Sequence, residues 1–273
     1  MPPVAHLVPS VSKAAPASAA RLALDGGRVD AALSGGLALA GCHEIYGPGS
    51  TALALMLALA APRAGPILWL ADHQAGFSGD GGRLYGAGLA ELGGDPARLW
   101  LVEAGGALPM RRAAAEAQRC AALACLVIEA GSASAVDLTV TRRLQLAAAA
   151  SGVFTLLLRA GPPRPSAALT RWQVRAAPAR RLAGNAPGPP RLVLSLERQR
   201  GGPADISLAL EWDRDRCRFL PASQAASQPI PIGAAFGRRI AIGGAPYPGA
   251  VPAVAAGRTP RPSAGIQGTW RAA

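Results

Sequence analysis

Five short apolar runs constrain this chain most: CHEIY at 42–46, PILWLA at 66–71, LWLV at 99–102, CLVIE at 125–129 and VFTLLL at 153–158. Each is too uniformly apolar to leave a face in water. Between them lie stretches of helical character at 50–61, 83–92, 108–123 and 138–150. Continuous apolar strands alternating with helices mark a parallel sheet covered on both faces. Crossovers between such strands are right-handed almost without exception, so a three-layer α/β domain is expected. Half of the 273 residues are apolar but only 4% are aromatic, so its core must be built mainly from Ala and Leu.

After Arg159 the pattern changes. GPPRPS breaks the alternation, and the later strands at 170–176, 191–198 and 205–212 have no helices between them. They read as an antiparallel extension of the sheet, with Gly201-Gly202-Pro203 making a hairpin connection and 184–190 (GNAPGPP) a flexible loop. Residues 1–27, rich in Ala, Pro and Ser, read as a flexible leader. A domain over 28–220 follows. Residues 221–273 combine repeated Gly and Pro with no acid at all, and read as a disordered basic tail that orders only on a partner.

Charge divides along the same line. Residues 1–158 balance 11 Lys and Arg against 11 acids, whereas 159–273 carry 17 Arg and 5 acids, so the net +12 belongs to the second part. Arginine clusters suit phosphate backbones and acidic protein surfaces, and GC-rich coding accounts equally well for arginine without lysine. Cys42, Cys120, Cys125 and Cys217 form no CxxC pair and are too few to staple such a chain, which favours a reducing, cytoplasmic setting. The longest apolar run, 52–62, is about half of a bilayer span. The N-terminus lacks the basic and apolar regions of a signal peptide.

The segment CHEIYGPGSTALALMLALAAP at 42–62 joins a strand to a helix through a Gly/Pro turn. A phosphate-cradling loop follows G-x-x-x-x-G-K-[ST]: backbone N–H groups hold phosphates, the Lys neutralises them and the hydroxyl binds Mg²⁺. Counting from Gly47 places Ala52, Leu53 and Ala54 where Gly, Lys and Ser/Thr belong. The chain's one lysine is Lys13, so no shift of register restores the cation. Gly47, Pro48, Gly49 and Ser50 fit either a backbone anion nest or a turn whose shape the fold requires.

The run 29–61, VDAALSGGLALAGCHEIYGPGSTALALMLALAA, is similar to the start of the RecA recombinase core, an L-D-x-A-L-G-x-G-G-L stretch followed by V-E-I-Y-G-P-E-S-S-G-K-T. Glu44, Ile45, Tyr46, Gly47, Pro48 and Ser50 match in order. Further on, GRLYGAGLAELGGDPARLWLVEA (82–104), DLTVTRRLQLAAAASGVFTLLLR (137–159) and TRW (170–172) resemble the ImuA family of RecA-like proteins. The resemblance spans about 28–212 and implies a RecA-like domain with a degenerate loop.

It also implies a function: a non-enzymatic accessory protein of SOS-induced translesion synthesis. Such a protein joins ImuB, a degenerate Y-family polymerase relative, to an error-prone C-family DNA polymerase, with RecA as a further partner. Carried over residue by residue, the reactive loop positions fall on Leu53 and Ala54. The water-activating acid falls on Asp72, followed by His73, the strand-end acid on Glu129 and the polar sensor on Arg159. No cofactor is expected. A surface resembling the RecA protomer contact, together with Arg191, Arg198, Arg200, Arg214, Arg216 and Arg218, is expected to bind partners or DNA. A SulA-like inhibitor of cell division and a residual nucleotide-binding protein with weak ATPase activity are the alternatives.

Other candidates carry less. His6, His43 and His73 have no ligand spacing, so no metal is expected. Trp69, Trp100, Trp172 and Trp212 fall in or near strands and read as core. Ser166, His73 and Asp137 lack the G-x-S-x-G elbow of a hydrolase.

Overall fold

The computed structural model describes residues 20–72, 84–130, 136–161 and 164–222. The leader up to residue 19, His73 and the tail from 223 lie outside the described residues.

The domain begins earlier than composition indicates. Strand β1 (Arg21–Leu22) pairs antiparallel with β2 (Leu37–Ala38), enclosing helix α1 (Arg28–Ala32). Buried Asp30 accepts the backbone N–H groups of Leu24, Asp25 and Gly26, at 2.6–3.2 Å. Leu22 and Leu24 are buried. Residues 20–27, assigned above to the leader, are therefore part of the domain. A composition argument misses them because their order comes from the carboxylates of Asp25 and Asp30 rather than from periodicity.

The apolar runs become β3 (Cys42–Tyr46), β4 (Ile67–Asp72), β5 (Leu99–Ala104), β6 (Cys125–Ala130) and β7 (Phe154–Arg159). Their connections hold α2 (Ser50–Ala60), α3 (Gly86–Glu91), α4 (Ala107–Ala117) and α5 (Leu138–Ser151). Asp137 caps α5 by accepting the Val140 N–H at 2.8 Å, and Gly152 ends it in the left-handed region at φ +75°. Strands β8 (Thr170–Ala177), β9 (Arg191–Gln199), β10 (Ile206–Asp213) and β11 (Arg218–Pro221) complete a nine-stranded sheet. Its order is β11-β10-β9-β8-β3-β7-β6-β4-β5.

Strands β3 to β8 are mutually parallel, and β9, β10 and β11 are antiparallel additions. Strand β8, expected within the antiparallel part, thus runs parallel to β3, which lies between it and β7. The loop before β9 is held by a Leu182 N–H bond to the Ala186 carbonyl at 2.9 Å.

Two cores fill the two faces. On one, Ile45, Trp69, Val127, Leu156, Trp172 and Val174 pack against Leu53 and Met56 of α2. On the other, Cys42, Leu70, Leu126, Ile128 and Leu157 pack against Met110 and Ala114 of α4 and Val140 and Leu144 of α5. Helix α2 is apolar all round because it is covered all round. It meets β3, β7 and β8 beneath it and β11 at its side. A Cβ at Gly94 would lie 2.6 Å from Leu59 Cδ2, so the α3–β5 connection also presses on α2.

Strand β5 is an edge of the sheet. Trp100, read above as core, is 55% exposed there beside exposed Leu101 and Val102. An apolar run cannot distinguish an edge strand from a central one.

Candidate functional site

In an open parallel sheet the ligand crevice lies beyond the carboxyl ends of the strands. Here that region contains the loop between β3 and α2. Gly47 takes φ +103°, and a Cβ on it would meet the Val174 carbonyl oxygen at 2.4 Å. A Cβ on Gly49 would meet Val174 Cγ1 at 2.8 Å. The glycines thus let β8 approach. Backbone donors are used within the protein: Gly49 N–H bonds the Val174 carbonyl at 3.3 Å, Ser50 N–H the Gly47 carbonyl at 3.0 Å, and Leu53 N–H the Gly49 carbonyl at 3.0 Å.

Leu53 and Ala54, at the positions of the reactive pair, are 1% and 0% exposed within the α2 core. Glu129, at the strand-end acid position, is buried and accepts the Trp69 Nε1–H at 2.8 Å. Asp72 ends β4 opposite Ala104; its side chain and His73 lie outside the described residues. Of the two acids, one is engaged by an indole. Between the two readings of Gly47–Ser50, the geometry favours the turn.

Charge is concentrated on the opposite face of the same strand. Glu44, 0% exposed in the middle of β3, faces away from α2 with Cys42. Its Oε1 pairs with Arg159 Nε at the end of β7, and its Oε2 lies 3.0 Å from both Arg171 Nε and Nη2 on β8. Arg159 is itself buried, and its Nη1 donates to the Val136 carbonyl at 2.9 Å. Arg171 Nη2 also reaches the Arg164 carbonyl. The cluster locks together three adjacent strands, β8, β3 and β7, and the segments leading into α5 and β8.

Sequence reasoning named Arg159 as a sensor position and Glu44 as a motif match, and missed the pairing. The usable signal is physical: a carboxylate in a doubly covered apolar strand requires cationic partners, and only neighbouring strands can supply them.

Nearby, Tyr46 donates its hydroxyl proton to Glu197 on β9. Burial, together with that carboxylate, pushes the Tyr46 phenol above its usual range. Burial likewise raises the Cys42 thiol to about 12 and the Cys125 thiol further, so both behave as small core hydrophobes. His43 joins Thr170 Oγ1 (2.7 Å) to the Ala38 carbonyl (2.8 Å) and meets the edge of Phe154. Asp137 is an N-cap, and the Ser166 Oγ accepts the Ala168 N–H. Among the described residues no group of His, Cys, Asp and Glu could hold a metal ion.

The six expected arginines do not form one patch. Arg191 lies at the carboxyl end of the sheet opposite Ala177, near the β10–β11 turn that carries Arg214, Arg216 and Arg218. Arg198 and Arg200 lie at the other end of β9, about 24 Å away at strand rise. Arg191 is buried, whereas Arg200 is exposed. Arg216 and Arg218 share Asp213 at 3.2 and 3.5 Å, and Arg198 donates to the Ser166 carbonyl at 2.5 Å.

Comparison with known proteins matches this architecture to relatives. No family model matches the chain. It is 32% identical over 194 residues to Protein ImuA of Caulobacter vibrioides strain NA1000 / CB15N, across 62% of this chain and 73% of that protein. The chain belongs to the ImuA family. Protein ImuA of C. vibrioides strain ATCC 19089 / CIP 103742 / CB 15 gives the same identity and coverage. Among solved structures, the RadB recombinase shares the fold at a TM-score of 0.50 and 16% identity, covering 71% of this ImuA-family chain and 96% of the recombinase. No helix among the described residues is long and apolar enough to cross a membrane.

Proposed function

We propose that this ImuA-family protein is a non-enzymatic adaptor of SOS-induced translesion DNA synthesis. It binds ImuB and the error-prone C-family polymerase, the partners that its family resemblance implies, and RecA as a further contact. One observation carries the non-enzymatic part. Where a nucleotide-binding loop presents a lysine, a hydroxyl and free N–H groups to phosphate, this loop has Leu53 and Ala54 in the core and gives its Gly49 N–H to Val174. Triphosphate chemistry depends on charge neutralisation and metal placement, and neither reactive side chain is present.

The test is calorimetric titration with ATP and Mg²⁺, run beside co-precipitation of ImuB and the polymerase from cells treated with a DNA-damaging agent. The reading expects no ATP heat and capture of both partners. Micromolar ATP binding would favour a nucleotide-driven protein. Capture of the division tubulin homologue in place of ImuB would favour a cell-division inhibitor.

A further inference from the structure

A surface feature not used above is a trough between α4 and α5, about 610 Å³ in volume and floored by Ile128 of β6. One wall is Arg111, Ala114 and Ala115 of α4 with Gln118 and Arg119 of the turn that follows it; the other is Val140, Arg143, Leu144, Ala147 and Ala150 of α5, at the three- and four-residue spacing of one helix face. Alanines keep the trough open, because side chains of that size cannot bridge two helices. The lining is apolar apart from Gln118, Ser151 and three arginines. Gln118 is engaged inward, donating to the Leu144 carbonyl at 2.9 Å.

Arg111, Arg119 and Arg143 are exposed along the rim, and no carboxylate lines the trough. Glu116 pairs with Arg119 at 3.3 Å on the exposed surface, and Asp137 is held as the cap of α5. About 9 Å of helix separates Arg111 from the end of α4 at Ala117, and Arg119 lies in the turn just beyond it. One small anion cannot meet cations so spaced. A helix with acidic flanks presents carboxylates at that separation, two turns apart, while its apolar stripe enters a channel between two helices.

We propose that the α4/α5 trough is the docking site for an acidic amphipathic helix of a partner protein, with apolar side chains on Ile128 and Leu144 and carboxylates on Arg111, Arg119 and Arg143. The assignment of that partner to the translesion assembly rests on the adaptor reading; the site and its chemistry do not.

The experiment uses the full chain and a fluorescein-labelled helical peptide of about 16 residues, long enough to hold helix against the trough. It carries Leu at spacings of three and four and Glu on both flanks; its counterpart carries Lys for Glu. Anisotropy is expected to show binding of the acidic peptide, weakening severalfold between 50 and 500 mM salt as the screening length shortens from about 14 Å to about 4 Å. Two exposed-surface variants should each lower affinity by about tenfold or more: Arg111→Glu with Arg143→Glu, which reverses the rim, and Ala115→Trp, which fills the channel. Unchanged thermal unfolding by circular dichroism would show that both variants fold.

Equal binding of the Lys peptide, unaltered affinity in both variants, or no binding at all would overturn the proposal. So would a dimer in sedimentation velocity that Arg111→Glu with Arg143→Glu dissolves, since the occupant would then be a second copy. Loss of ImuB capture with peptide binding intact would count against the adaptor reading and leave the trough assignment standing.

Discussion

Replacing Leu53 by lysine, the residue a phosphate loop has at this position, should destabilise the protein severely rather than restore nucleotide binding. Leu53 is 1% exposed among Ile45, Trp69, Trp172 and Val174 of the α2 core. Two costs add. Loss of the packed leucine contributes about 2–3 kcal/mol even where the lysine stem refills part of the space. The ammonium must then either stay charged in that core or lose its proton. Neutralising a group with an ordinary pKa of about 10.4 at pH 7 costs about 4–5 kcal/mol at 1.36 kcal/mol per unit. The sum approaches the whole stability of a typical domain, about 5–15 kcal/mol.

The pH dependence separates this mechanism from mere loss of packing. A lysine whose folded pKa is depressed binds its proton preferentially in the unfolded state, so the cost grows as pH falls below about 10.4 and shrinks towards it. Between pH 7 and pH 9 Leu53→Lys should recover about 2–3 kcal/mol relative to Leu53→Met, measured by urea unfolding at both values. A lysine variant as stable as the methionine one at pH 7 would refute the reasoning. It would mean that the ammonium reaches water beside Gly49, and that the loop still opens towards an anion.

Three further expectations concern ionisable groups. Burial, reinforced by Arg21, lowers His43 to about 4, so the native state binds its proton later than the unfolded chain. Stability should therefore fall as pH drops from about 6.5 towards 4, by about 2 kcal/mol at pH 5, and unfolding of His43→Gln should be flatter over that range. Glu44→Gln leaves Arg159 buried without its anion and should cost about 3–5 kcal/mol in urea unfolding, whereas Glu44→Leu with Arg159→Met should regain much of that loss. If the arginine clusters bind DNA or ImuB, Arg198→Ala with Arg200→Ala and Arg214→Ala with Arg216→Ala should each reduce the salt dependence of binding measured by anisotropy. They should do so independently, because they lie at opposite ends of the sheet.

Legibility in the sequence followed the length and uniformity of the signal. Strand β3 emerges at the expected residues 42–46 because an apolar run ends in a Gly-Pro turn. The two-residue ladder of β1 with β2 and the four-residue β11 are too short for any period to register. Strand β11 depends on contacts remote from its own composition: Phe219 meets Trp212 edge-on at 5.0 Å, and Trp212 donates to the Leu92 carbonyl at 2.8 Å. The loss of the reactive pair was visible from residue identities alone. The closing of the loop was not, because it requires Val174, more than a hundred residues onward, to supply the carbonyl that meets Gly47 and Gly49. The arginine cluster failed as one patch for a related reason: charge counting has no strand geometry, and β9 holds Arg191 and Arg198 towards its opposite ends while antiparallel pairing brings the β10–β11 turn to the Arg191 end.

These arrangements link the ion cluster to the trough. With α2 enclosed between the sheet, β11 and the α3–β5 connection, the face that carries a nucleotide in a working loop has become core. The ionisable groups of β3, β7 and β8 act on the other face. Glu44 holds Arg159, Arg159 holds the Val136 carbonyl at 2.9 Å, and Val136 lines the trough between α4 and α5. Removing the Glu44 charge therefore acts on two observables through one chain of contacts. Glu44→Gln should weaken acidic-peptide binding under conditions where the variant is still folded. Arg171→Gln, which removes the Glu44 partner on β8 and leaves Arg159 paired, should leave peptide affinity nearly unchanged. Equal losses in the two variants would show that the cluster stabilises the domain as a whole and has no particular hold on the trough.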